Sequence, residues 1–98
     1  MTQGEHIVRK EMGYTLEEFM RLLPKAMGGA DMEIAGNIIE VRDGARSLRI
    51  ELGEETVRQI ASFRLPMLPV SLAFSGHSEA EIDAALDRFW RTFQKGGG

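Results

Sequence analysis

Read for hydrophobic period alone, the chain has two helical stripes separated by a long stretch of alternation. Leu16, Phe19, Met20, Leu23, Ala26 and Met27 recur every few residues, and so do Ile82, Leu86, Phe89 and Phe93. Each set occupies one side of a helix, which predicts two amphipathic segments turned toward a core. Between them, Met32, Ile34, Ile39, Val41, Leu48, Ile50 and Leu52 alternate with Glu33, Glu40, Arg49 and Glu51. Period two marks strands with one buried face and one wet face.

Local signals set the boundaries. Thr15 and Glu18 have capping-box spacing, with Tyr14 and Phe19 placed as a hydrophobic staple, and Gly28-Gly29 closes the first helix. Pro24 conflicts with this, because it cannot donate to the carbonyl of Met20 and is expected to kink or divide the helix. Ser78 and Glu81 repeat the capping box ahead of the second helix. There Glu79 and Glu81 sit near the positive end of the dipole, Arg91 and Lys95 near the negative end, and Gly96 is the expected stop. Gly36-Asn37 and Asp43-Gly44 read as hairpin turns.

The remaining segments are read as follows. Residues 5–13, carrying Ile7 and Val8, form a first strand. Gly53-Glu54-Glu55-Thr56 is a turn. Residues 57–65 form one strand with Val57, Ala61, Phe63 and Leu65 on one parity, with a helical turn over 54–60 as the alternative. Pro66-Met67-Leu68-Pro69 is a loop or strand crossing, since neither proline donates to a ladder. Val70, Leu72 and Phe74 mark a last strand.

The fold class is therefore α+β, in the order strand, helix, four or five strands, helix. An antiparallel meander sheet carries both helices on one face. Residues 1–95 make one domain and Gly96-Gly97-Gly98 a flexible tail. This order is similar to the helix-grip arrangement, a curved antiparallel sheet wrapped around a long C-terminal helix. The likeness is one of element order, and no functional residue comes with it.

Composition narrows the function classes. Ninety-eight residues, 43% hydrophobic and 28% charged, suit a single globular domain. With no cysteine, thiolate metal sites, disulfides and Cys nucleophiles are excluded. The polar start, Met1 to Glu5, lacks a signal-peptide pattern. The longest nearly apolar run, Leu65 to Phe74, is about half the ~20 residues of a membrane span. A cytoplasmic protein without membrane association is expected.

Candidate chemistry is sparse. His6 and His77 have no local partner of the kind a ligand or general base requires. The carboxylates cluster at helix starts and turns, where the dipole accounts for them. No glycine pattern makes a nucleotide site and no serine has a nucleophile-elbow context, so neither cofactor nor metal is expected. Arg42, Arg46, Arg49, Arg58 and Arg64 would line a wet sheet face. Interleaved Glu33, Glu40 and Glu51 favour cross-strand pairing over nucleic acid, and Phe63 and Phe74 are placed in the core.

The segment that stands out is Arg64 to Pro69. Met67 and Leu68 in a stiff loop beside Ser71, Ala73 and Ser75, with Trp90 offset from its helical stripe, suggest an interaction surface: Met67, Leu68, Ser71, Ala73 and Trp90. The sequence thus points to a small non-catalytic binding or protein-interaction module. Self-association through an edge strand is one variant, and an apolar ligand held between sheet and C-terminal helix is another. A small enzyme with a dispersed site near His6 or His77, and nucleic-acid binding through the arginine face, are the alternatives.

Overall fold

The computed structural model describes residues 5–97, and the side chains of residues 5–94. Met1 to Gly4, most of the polar start, and Gly98 of the glycine tail lie outside the described residues. The element order is β1 (His6–Met12), α1 (Leu16–Ala26), β2 (Asp31–Ala35), β3 (Ile38–Asp43), β4 (Arg46–Leu52), β5 (Thr56–Ile60), β6 (Phe63–Ser75) and α2 (Glu79–Gly97). All strand pairs are antiparallel, and the sheet runs β1-β6-β4-β3-β2 with β5 paired to β6 off that path. The fold is α+β, as the alternation predicts. The meander holds for β2-β3-β4 and is broken where β6 rather than β5 lies beside the body of β4.

Both helices begin at the expected caps. The Thr15 hydroxyl accepts from the Glu18 N–H while the Glu18 carboxylate accepts from the Thr15 N–H, completing the capping box of α1. Ser78 and Glu81 reproduce it for α2 at 3.2 and 2.8 Å. Pro24 does not divide α1: it lies exposed near the helix's C-terminal end, where water can serve the Met20 carbonyl it leaves unpaired. The α2 bounds extend to Gly97, past the stop expected at Gly96.

One core joins the even-numbered residues of the central strands to the helices. Ile50, Leu52, Leu68, Val70, Leu72 and Phe74 pack with Phe19, Leu23, Ala26, Ile82, Phe89 and Phe93. Its centre is aromatic. The ring of Phe93 stacks on Phe19 at 4.9 Å and meets Phe89 at 4.7 Å, while Tyr14 approaches its edge at 5.3 Å. The Tyr14 hydroxyl donates to the Phe93 carbonyl, so the phenol enters the core with its polar atom satisfied. Leu16, placed on the α1 stripe by its spacing, stays 44% exposed.

The largest departure from the sequence reading lies between residues 53 and 69. Pro66 to Pro69 is continuous strand, not a loop, inside a β6 of thirteen residues. Residues 57–65 are not one strand but parts of two, folded back at Ala61-Ser62. Ile60 is the last residue of β5 and pairs with Phe63 across the turn. The helical-turn alternative over 54–60 is replaced by β5 itself.

Both prolines are tolerated for a geometric reason. In an antiparallel strand a residue's N–H and C=O point to the same side. The Pro69 carbonyl accepts from the Gly53 N–H at 2.9 Å, so its ring nitrogen faces the place where the β4 ladder has ended. Pro66 faces the opposite side, beyond the last β1 pair at Met12 and Leu68. Neither removes a ladder bond.

Strict alternation continues through this segment, which puts Leu68 at 0% exposure and leaves Met67 half-buried on the other face. Leu68→Ala is therefore expected to cost about 2–5 kcal/mol by opening a core cavity. Met67→Ala should cost less than about 1 kcal/mol. Urea unfolding of the two variants checks the difference, and equal losses would contradict this register.

Candidate interaction surface

The hairpin of β5 and the first part of β6, residues 56–67, forms an arm at one end of the body. Its five paired positions span about 15 Å at ~3.4 Å per residue. The whole molecule is correspondingly elongated, 50 × 26 × 26 Å. Every residue from Gly53 to Leu65 is exposed.

A β-bulge sets the arm's orientation. Leu52 pairs with Val70 and Thr56 with Met67, and the Gly53 N–H bonds to Pro69. That leaves Glu54 and Glu55 opposite Leu68 alone, two residues against one. Gly53 is required by contact: a Cβ there would come within 2.9 Å of the Pro69 ring. Two tethers hold the bulge. Asn37 bonds Leu52 through both its side-chain Nδ2 and its backbone carbonyl, each at 2.9 Å. Glu55 accepts from the Leu16 N–H at 2.8 Å, so a carboxylate also meets the positive end of α1.

Because the bulge adds one residue, outward parity switches from odd in β4 to even in β5. The outward face of the arm carries Thr56, Arg58, Ile60, Phe63, Leu65 and Met67, and the inward face Val57, Gln59, Arg64 and Pro66. Phe63 is 67% exposed, Ile60 51% and Leu65 45%, with Val57 at 53% on the other face. The sequence reading placed Phe63 in the core beside Phe74. The turn at Ala61-Ser62 instead gives it the outward, odd parity of β6, while Phe74 is buried. Ala61, at the tip, holds φ +54°, a left-handed conformation unfavourable for a residue with a Cβ.

The five surface residues expected from the sequence do not share one surface. Met67, Ser71 and Ala73 lie on the outward row of β6, each half-buried. Leu68 belongs to the core. Trp90 lies on the helix side, half-buried, with its ring edge against Phe89 and the Lys10 ammonium 5.6 Å from its centroid. The residues missed were Ile60, Phe63 and Leu65. The Ala61-Ser62 turn that exposes them lacks the glycine or asparagine that usually announces a hairpin.

The other candidates are dispersed. Arg49 lies 2.9 Å from Glu40 and Arg42 4.0 Å from Glu33, pairs that span neighbouring strands. Glu40 raises the Arg49 pKa by hydrogen bond and charge. Arg46 turns to Glu81 and Asp43, and Arg58 reaches toward Glu11 at 3.9 Å. Arg64 sits on the inward face of the arm, so the five arginines form no single positive face.

His77 meets the Ser75 carbonyl at 3.1 Å and the Phe74 ring edge-on, and His6 lies tilted against the same ring at 6.4 Å. Neither is bonded to a carboxylate, and no group of three or more metal-ligating side chains is found among the described residues. Between sheet and α2, where an apolar ligand would lie, Phe19, Phe89 and Phe93 pack together, and a pocket of about 110 Å³ remains beside Val41, Leu48, Phe74 and Ala85. Among the described residues no helix is long and apolar enough to cross a membrane.

Comparison with known protein families, with curated proteins and with solved structures gives no match. The helix-grip likeness accordingly rests on element order alone.

One ionisable group carries a readable pH signature. The Ser78 N–H holds the Glu81 carboxylate, with Arg46 adding to it, and its pKa falls below the ordinary carboxylate value of 4.5. A lowered folded pKa stabilises the fold above the unfolded value, and this is lost as pH falls through the folded one. Ser78→Ala is expected to cost about 1 kcal/mol at neutral pH by removing the cap. Glu81→Gln, which removes the titrating carboxylate itself, should instead flatten the decline in stability on acidification relative to the parent. Thermal unfolding between neutral pH and acid checks both effects.

Proposed function

We propose that this chain is a non-catalytic protein-interaction module that engages its partner through the β5–β6 arm. The observation that carries the reading is the exposure of Val57, Ile60, Phe63 and Leu65 on a projection that supplies none of them to the core. A two-stranded hairpin is marginal in water without a surface to pack on. A concentrated apolar patch on a small protein marks a contact. Charge supports the same view: residues 56–67 carry two arginines and no carboxylate in a chain of net charge −3. An acidic chain with one cationic, apolar arm has a directed contact surface. The cysteine-free composition suits a cytoplasmic setting.

A photoreactive phenylalanine analogue placed at position 63 tests this, with the same analogue at the exposed Ala84 of α2 as control. In the cells that make the protein, position 63 should give a discrete protein adduct that disappears when Leu65→Asp is added. Position 84 should give none. No adduct at 63, or the same adducts from both positions, would overturn the reading.

A further inference from the structure

The outward row of β6 changes character half-way along its length. From the arm's tip it reads Phe63, Leu65 and Met67, then Pro69, Ser71, Ala73 and Ser75. Three large apolar side chains lead, through a proline, into three small ones on the same side of one strand. The size of the second group leaves a shallow trough in the outward sheet face. At its Pro69–Ser71 end, a groove of about 610 Å³ is lined by Arg9, Glu11, Glu51, Gly53, Pro69 and Ser71 among others.

We infer that the arm's occupant is a second copy of this chain, laid face to face on the first with the two β6 strands antiparallel. The inference rests on the arm being a contact surface and names what covers it. A two-fold axis across the strands, midway between Met67 and Pro69, carries position 63 over 73 and 65 over 71. Phe63 then meets the partner's Ala73, and Leu65 meets the partner's Ser71. A two-fold contact uses one patch twice, so a row that is large at one end and small at the other is complementary to itself.

The charges fall into register under the same operation. Such an axis keeps β4 and β5 on the same side in both copies. Arg58 pairs across the hairpin with Leu65, and Glu51 pairs across the sheet with Ser71. Arg58 is therefore carried over the partner's Glu51. Glu51 has no salt-bridge partner among the described residues, and Arg58 has only Glu11 at 3.9 Å. Ile7, 43% exposed and paired with Ala73, widens the apolar seat for the incoming phenylalanine. The ~30° rotation between packed sheets keeps the match close to the β6 row. Covering both arms in this way buries on the order of 1,600 Å² in total, the size of a standard specific interface.

Sedimentation equilibrium on the full chain tests the pairing. The parent should sediment at twice the monomer mass. Phe63→Asp and Ala73→Arg, both on the outward face, should each weaken association by roughly a hundredfold or more. Arg58→Glu and Glu51→Arg should each weaken it by about tenfold, because two symmetric pairs are lost together, and the double variant should recover it. Circular dichroism of each variant verifies that the fold is kept. A parent that stays monomeric at high concentration overturns the inference, as does a dimer indifferent to Phe63→Asp and Ala73→Arg or a double variant that fails to recover. A monomer whose position-63 probe still gives a discrete adduct with another protein overturns self-pairing while leaving the interaction reading standing. A monomer with no adduct overturns both.

Discussion

Strict alternation along β6 is the constraint on which the rest of the molecule depends. This strand pairs with β1 on one side and with β4 and then β5 on the other, so its register fixes theirs. A slip of one residue would send Leu68, Val70, Leu72 and Phe74 into water and bring Ser71 and Ala73 into the core. The prolines help to prevent that slip. Each sits where its missing N–H has no strand to meet, and a shift by one residue would turn each ring nitrogen toward the opposite side.

The helices close the other half of the core through aromatic contact. Phe93 lies between Phe19 and Phe89, with Tyr14 at its edge, so the start of α1 and the last turns of α2 are fixed to the same ring. Tyr14 and Phe19, placed together as a staple by their spacing, both meet Phe93, a residue from the other end of the chain. No polar or charged residue is buried among those described. The ring cluster thus ties both helices to the sheet without a buried charge.

Most of the frame was legible because its signals are local. Capping boxes at Thr15 and Ser78 and the alternation from Met32 to Leu52 depend on residues close in sequence, and each appears where its pattern put it except Ile34, which stays 55% exposed on the edge strand β2. The arm was not legible for two physical reasons. Its turn at Ala61-Ser62 forces an alanine to positive φ, a conformation that composition does not announce. Its strands are exposed on both faces, so their apolar residues follow no buried-face pattern. Phe63 was assigned inward because hydrophobicity was read as burial, an inference that fails where an apolar residue serves a contact outside its own chain. Alternation puts Ser71 and Ala73 on one face, and the continuity of β6 through Pro66 to Pro69 adds Met67 to the same row.

The two glutamates opposite Leu68 have a consequence for how this chain can change over time. Most single-residue deletions in a surface connection are absorbed as a shorter loop. Removing Glu54 or Glu55 would instead abolish the bulge while leaving Thr56 opposite Met67, so Arg58 and Ile60 would keep the outward face and Val57 and Gln59 the inward one. What would change is the bend and twist with which the arm leaves the body, because the extra residue supplies both. The direction in which this surface is presented can thus diverge without remodelling of the core, through the count of residues at one hinge.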